Sequence, residues 1–299
     1  MSRIALTDTE SAAQITARSR TNFYYSFSML PRDEREAMNT VYAFCRTIDD
    51  VVDESDEPAV DSAESDIARR RDRLNVWRRE VERCYNGESN HPLLLPLAKV
   101  VQRFRIPQQY FLTLIDGMEM DLVKQRYATF EELREYCYRV ASVVGLMCVE
   151  IFGYKYEETR DYAVNLGIAM QLTNILRDVK ADKDKGRIYI PQEDLELFGV
   201  PEYDILLEQD TPRLKRLLAF EAERAKSFYL AARAQLHKDE RITMVAAEIM
   251  DAIYFRLLEK IEHSDFDVFR RRISVSTPHK ILIAVRFWIE NKVLRIAQK

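Results

Sequence analysis

The chain has 299 residues, 47% of them apolar, with a formal net charge of −4 and a pI near 5.8. That is ample material for a large core, and the acidic balance excludes a nucleic-acid binder working through bulk charge. Low Gly and Pro content (7 and 9 residues) argues for a helical chain, no apolar run reaches the length of a membrane span, and Cys45, Cys84, Cys137 and Cys148 lack C-x-x-C spacing, which fits reduced cytosolic thiols better than disulfides or zinc ligands.

In chain order, the opening Met1-Ser-Arg-Ile-Ala-Leu-Thr-Asp8 lacks the apolar centre of a signal peptide. Residues 9 to 30 read as a helix and turn, and Pro31 starts a long helix with Asp33 and Glu34 at its positive end and an apolar face running to Val52. Pro58 and its acidic neighbours break the pattern. Residues 64 to 85 predict an arginine-rich amphipathic helix, and the interleaved Glu64, Asp66, Asp72, Glu80 and Glu82 make it a solvated face rather than a phosphate patch. Helices are expected near 92–104, 108–126, 130–152 and 157–181. Gly186 stops the last of these, Ile188–Ile190 is short and extended, and Pro191 opens a brief helical turn. A loop at 199–212, helices at 211–237 and 241–263, a basic linker at 264–278 and a final helix at about 279–299 complete the chain. No linker is long enough to divide it, so the expectation is one all-α domain over residues 1–299, with a short leading segment of about 1–18.

Two stretches stand out. In Tyr42-Ala-Phe-Cys-Arg-Thr-Ile-Asp-Asp-Val-Val-Asp-Glu54 and in Gln171-Leu-Thr-Asn-Ile-Leu-Arg-Asp-Val-Lys-Ala-Asp182, two aspartates stand four apart: Asp49 with Asp53, and Asp178 with Asp182. Four residues is just over one turn, so each pair projects from one helix face. The spacing alone is within chance, and two solvated acidic faces are the plain alternative. Company strengthens the other reading: Arg46 precedes Asp49, and Gln171, Asn174, Asp178 and Asp182 form a stripe inside Leu and Ile. Carboxylates crowded on a buried face repel unless a cation is shared. Oxygen ligands with no Cys or His cluster suit Mg²⁺, with Mn²⁺ as its substitute, bound together with a substrate phosphate. Deleting one carboxylate should then abolish turnover, leave the fold intact and even relieve repulsion in the metal-free protein.

These stretches, with Gly186-Arg-Ile-Tyr-Ile-Pro191, Phe23-Tyr-Tyr-Ser-Phe27 before Leu30-Pro31, and Tyr136-Cys-Tyr-Arg-Val-Ala141-x-x-Val-Gly145, resemble the squalene/phytoene synthase family from about residue 18 to 285. The resemblance implies an isoprenoid-synthase-like helical bundle with a central cavity. Its implied chemistry is the Mg²⁺-dependent head-to-head joining of two allylic prenyl diphosphates. It implies Asp49, Asp53, Asn174, Asp178 and Asp182 as metal ligands, with Gln171 beside them. Arg46, Arg177, Arg187 and, less securely aligned, Arg272 become the diphosphate clamps, each of which could instead be a simple ion pair. Tyr42, Tyr136, Tyr189 and Tyr254 match aromatic positions, Tyr136 being the one to shuttle a proton or steady a carbocation. Phe23, Phe27, Val140, Ala141, Val144 and Gly145 would line the isoprenoid tunnel. One departure is Ser19-Arg-Thr-Asn-Phe23, where Asn22 stands in place of a hydroxyl of the family motif, so the diphosphate contacts of that segment do not carry over.

The bulk of Phe27 favours two farnesyl diphosphates, giving presqualene diphosphate or a squalene-type product, over two geranylgeranyl diphosphates giving phytoene. A class I terpene cyclase and a non-catalytic assembly factor are weaker alternatives. No Gly-x-Gly-x-x-Gly loop follows a strand, which excludes a Rossmann site and leaves NADPH open, with no reductive step expected. The expected location is cytoplasmic. The helix from Pro278 carries Lys280, Arg286, Lys292, Arg295 and Lys299 against Glu290, a basic amphipathic pattern that suits weak contact with the inner membrane face. Ile281, Val285 and Trp288 closing the core is the favoured alternative. Downstream isoprenoid enzymes are the protein partners the resemblance implies.

Overall fold

The computed structural model describes residues 26–53 and 63–297, with side chains described as far as Asn291. Phe23 and the departing Ser19–Phe23 motif lie outside the described residues. What is described is helical: α1 Arg32–Asp53, α2 Ala63–Tyr85, α3 Leu94–Phe104, α4 Gln108–Val123 and α5 Phe130–Cys137. A π-helical turn Tyr138–Ser142 leads into α6 Val143–Phe152. Then follow α7 Glu158–Asp184, α8 Gln192–Leu197, α9 Glu202–Leu206, α10 Pro212–Gln235, α11 Val245–His263 and α12 Thr277–Ala297.

Local chemistry accounts for the ends. Asp33 and Glu34 occupy the first turn of α1. The Thr129 and Thr211 hydroxyls accept from backbone N–H groups at the starts of α5 and α10, and Pro212 takes the first position of α10, where no donor is needed. Gly153 and Gly186 adopt φ of 75° and 79°, the left-handed region, as the chain leaves α6 and α7.

Two apolar clusters form the interior. One gathers α1 to α4 and α6 around Phe44, Trp77 and Phe111, and the other gathers α5 and α7 to α11 around Tyr127, Leu176 and Tyr229. Helix α7 contributes to both. It lies against α6 so closely that a Cβ on Gly145 would stand 2.9 Å from the Ala163 carbonyl oxygen, and one on Gly167 would stand 2.6 Å from Ser142 Cα.

Several sequence expectations shift. The helix expected at 130–152 is interrupted by the π-helical turn, and α11 starts at Val245 rather than 241. The expected loop at 199–212 contains α9. Ile188 forms an isolated parallel bridge with Arg126. The arginines of α2 are not simply solvated: Arg78 reaches Asp116 at 2.6 Å and Glu119 at 2.7 Å, and Arg71 reaches Glu119 at 2.8 Å, so part of that face is an ionic seam with α4. All four cysteines are unpaired. Among the described residues no helix is long and apolar enough to cross a membrane.

Helix α12 is turned the other way from the core-closing expectation. It packs through Ala284, Ile283 and Phe287, and leaves Ile281, Leu282, Val285, Trp288 and Ile289 between 40% and 64% exposed.

Candidate active site

A cavity of about 310 Å³ runs between α1, α6 and α7. One wall carries Phe27, Tyr42, Arg46 and Asp49. The other carries Gln171 and Asn174, with Tyr254 from α11. Val140, Ala141, Val144 and Gly145 come from the π-helical turn and the start of α6, where the altered winding presents consecutive residues to the lumen. Helical spacing sets the direction. The polar residues Arg46, Asp49, Gln171 and Asn174 lie at one end, and Met38, Phe152 and Tyr162 at the other. Phe27 meets Tyr42 edge-on with ring centres 6.5 Å apart.

The two aspartate pairs face the polar end in different company. On α1, Arg46 holds Asp49 at 2.8 Å and Asp50 at 2.5 Å. Burial and the neighbouring Asp53 nevertheless push the Asp49 carboxyl up to about 6. Asp53 reaches across to the segment after α7, meeting Lys185 at 2.8 Å and Arg187 at 3.5 Å. On α7, Asp178 breaks the helical geometry with φ −104° and ψ 15°, so this pair does not sit on one straight helix as the spacing implied. Arg177 and Arg272 both grip it, Arg272 Nε at 3.0 Å. Burial opposes the charge of Asp178, but the Arg177 and Arg272 contacts win and hold its carboxyl below the ordinary range. Asp182 is the reverse: burial and then the Asp178 charge push it up to about 7.

Asp121, at the end of α4, was not foreseen. Tyr136 and Tyr189 donate to its two oxygens at 2.9 and 2.8 Å, and their rings stack on each other with centres 5.2 Å apart and with Tyr127 alongside. Burial raises the Asp121 carboxyl, while the Arg187 charge and the two tyrosine hydrogen bonds oppose the rise. Its charge is felt at both Asp49 and Asp182, so it lies near both pairs. Tyr136 and Tyr189 therefore stand beside the cavity rather than in its lining. A buried phenol needs an acceptor, and Asp121 supplies it. Nothing in the stretch Leu114-Ile-Asp-Gly-Met-Glu-Met-Asp121 marks this acid out from Asp116 and Glu119, which pair with Arg78 instead. Lys185 was also missed.

Every clamp arginine foreseen is paired with an acid: Arg46 with Asp49, Arg177 and Arg272 with Asp178, and Arg187 with Asp53. Among the described residues no three His, Cys, Asp or Glu side chains converge tightly enough to cage a metal unaided. The donor set fits a hard cation all the same. Burial first, and then neighbouring carboxylates, hold Asp49 and Asp182 in raised states, and the buried Asn174 Oδ1 has no hydrogen-bond partner, although its amide nitrogen donates to Gln171 at 3.3 Å. Such a set suits Mg²⁺, which keeps waters and shares its ligands with phosphate, better than an ion needing an all-protein cage.

Comparison with known proteins bears on the chain as a whole. The sequence model of the squalene/phytoene synthase family matches residues 16–279. A 15-cis-phytoene synthase of Synechococcus elongatus is 35% identical over 91% of this chain and 89% of its own length. A presqualene diphosphate synthase of Zymomonas mobilis is 36% identical over 84% of each. Further relatives at 32–40% identity also bear the name phytoene synthase. A crystal structure of a dehydrosqualene synthase in complex with ligand superposes with a TM-score of 0.81, at 28% identity, covering 94% of this chain and 95% of that one.

Proposed function

The chain belongs to the squalene/phytoene synthase family of prenyltransferases, and from that premise we propose that one all-α domain joins two geranylgeranyl diphosphates head to head, in the manner of a phytoene synthase. The observation that carries the prenyl reading is the cavity itself, apolar along its length and acidic at one mouth. The length of the substrate rests on the relatives, most of which are named phytoene synthase. The runner-up is two farnesyl diphosphates, favoured by Phe27 in the cavity wall and by the relative named presqualene diphosphate synthase.

Asp49, Asp53, Asn174, Asp178 and Asp182 would hold Mg²⁺, or Mn²⁺ in its place. When bound, the metal supplies Lewis-acid neutralisation of the charge that develops on departing diphosphate. Arg46, Arg177, Arg187, Arg272 and Lys185 exchange their acid partners for phosphate oxygens, the arginines gripping two at a time. The lumen keeps water from the allylic cation, and Tyr42 and Tyr254 offer it ring faces. Tyr136 and Tyr189, held by Asp121, stay protonated because burial and the Asp121 charge oppose their ionisation. They stand beside the diphosphate end as hydrogen-bond donors. Coupling to phytoene needs no reductant, so no step calls on NADPH.

The apolar product would leave towards a bilayer. The exposed Ile281, Leu282, Val285, Trp288 and Ile289 beside Lys280 and Arg286 suit weak attachment to an anionic surface, within reach of downstream isoprenoid enzymes. Salt-sensitive flotation with anionic liposomes that is lost in a 1–285 chain is expected, and equal binding of both chains contradicts the attachment. For the substrate, purified protein with Mg²⁺ is offered C15 and C20 allylic diphosphates in competition. Faster consumption of the C20 substrate is expected, and preference for C15 establishes the runner-up.

A further inference from the structure

Tyr162 occupies a position that no other described residue shares: it lines both the 310 Å³ cavity and a second cavity of about 380 Å³. The second chamber mixes charged side chains with Leu236, Ala252 and Phe287. Its walls carry the ion pairs Arg233–Asp251 at 2.6 Å and Arg241–Glu248 at 2.6 Å. Tyr162 is 1% exposed, and its buried hydroxyl has no hydrogen-bond partner. That hydroxyl lies in the field of the same four charged groups, while the residue beside it, Ala163, faces the apolar cavity. The ring is thus a partition between an apolar lumen and an ionic chamber.

The depth of the lumen follows from α7. Tyr162 and Asn174 are twelve residues apart on a stretch that precedes the kink at Asp178. At 1.5 Å per residue this is about 18 Å. On the facing wall, Met38 to Asp49 spans a similar length of α1. An extended isoprene unit adds about 5 Å, from four zigzag carbon–carbon bonds of about 1.5 Å. Three units, about 15 Å, stop short of the partition, and a fourth, at about 20 Å, comes up against the ring, so a fifth has no room.

We propose that Tyr162 is the floor of the prenyl tunnel and sets the longest isoprenoid tail the site accepts. The proposal rests on the prenyl reading of the cavity and adds to it the residue that limits length. Removing the ring merges the two chambers and moves the limit upward by about one isoprene unit, whichever length the native protein prefers. Removing only the hydroxyl leaves the wall standing.

The test measures binding of unreactive thiolo-diphosphate analogues with C10, C15, C20 and C25 tails by calorimetry, so it does not depend on turnover. The native protein should show one steep drop in affinity, about tenfold, at the first tail too long for the lumen. In Tyr162→Ala and Tyr162→Val that tail should bind within about threefold of its shorter neighbour, whereas Tyr162→Phe keeps the native limit. Tyr162→Trp, which fills rather than empties the site, should move the drop one unit shorter and covers the case in which the small variants do not fold. An unchanged drop in a folded Ala, Val or Trp variant, checked by its thermal transition, overturns the proposal. Failure of the native protein to bind any analogue overturns the proposal together with the prenyl reading. Native binding without any coupling of reactive substrates overturns the coupling reading alone, and the length series still decides the role of Tyr162.

Discussion

The two aspartate pairs share a spacing and differ in what surrounds them. Asp49 and Asp53 rise from an unbroken helix, and their cations are shared out between Arg46 on the same helix and Lys185 and Arg187 on the far wall. Asp178 sits at a kink and takes two arginines, while Asp182 has a raised carboxyl about one turn further on. Spacing brings the carboxylates to the two walls, and the kink at Asp178 re-aims one of them. Burial, neighbouring acids and flanking cations together set which of them is charged, and so the two walls answer differently to the same substitution.

The largest difference should vanish in activity and appear in stability. Asp49→Ala and Asp178→Ala are each expected to lower the coupling rate about 10³-fold in Mg²⁺, and near-native rates in either would break the equivalence of the walls. Their folding should part company. Repulsion between acids alone would predict relief in both, but Asp178 neutralises the buried Arg177. Asp178→Ala should therefore cost about 3 kcal/mol, because it strands a charge away from water. Asp49→Ala leaves Arg46 with Asp50 and should change stability little. Urea unfolding of the two metal-free variants makes the comparison, and equal losses contradict it.

The raised carboxyls give the next test. Asp49 and Asp182 bind a proton in the folded chain up to about 6 and about 7, well above the pH at which the unfolded chain has released it. Over that interval the native state holds more protons, so stability of the metal-free protein falls as pH rises from about 4 towards 7. Asp182→Asn should flatten this fall. Glu221, raised to about 8 chiefly by burial away from this site, contributes equally to both proteins. An unchanged pH slope in the variant would show that Asp182 is not the acid held in the raised state.

The smallest effect separates the two partners of Asp178. Arg272 is 69% exposed and Arg177 is not, so Arg272→Ala should alter stability by about 0.5 kcal/mol or less. It should nevertheless raise KM for the diphosphate substrate, because an exposed guanidinium at the mouth is free to change partners. A loss of stability as large as that of Asp178→Ala would make Arg272 structural.

The sequence carried the helical class and most of the lining, because apolar periodicity and carboxylate spacing are local properties. It also carried Arg46, Gln171, Asn174 and Tyr254 to one cavity through family resemblance. What it hid depends on tertiary contact. Asp121 is an unremarked acid until the fold brings Tyr136 and Tyr189 onto it. The kink at Asp178 and the π-helical turn at Tyr138–Ser142 leave no mark in residue type. The exposed side of α12 was misjudged because Ile281, Val285 and Trp288 make as good a buried stripe as the Ile283, Ala284 and Phe287 that pack inward.

One measurement bears most directly on the central claim that opposed acidic walls at the mouth of an apolar tunnel make this a head-to-head prenyl synthase. Purified protein is given geranylgeranyl diphosphate, and separately farnesyl diphosphate, with and without Mg²⁺, and both released diphosphate and lipid product are quantified. The account predicts Mg²⁺-dependent release together with a product of twice the substrate's carbon number, C40 or C30, and neither in Asp178→Ala. Release of diphosphate with only a monomeric cyclised or hydrolysed product, or no metal-dependent release from either substrate, would contradict it.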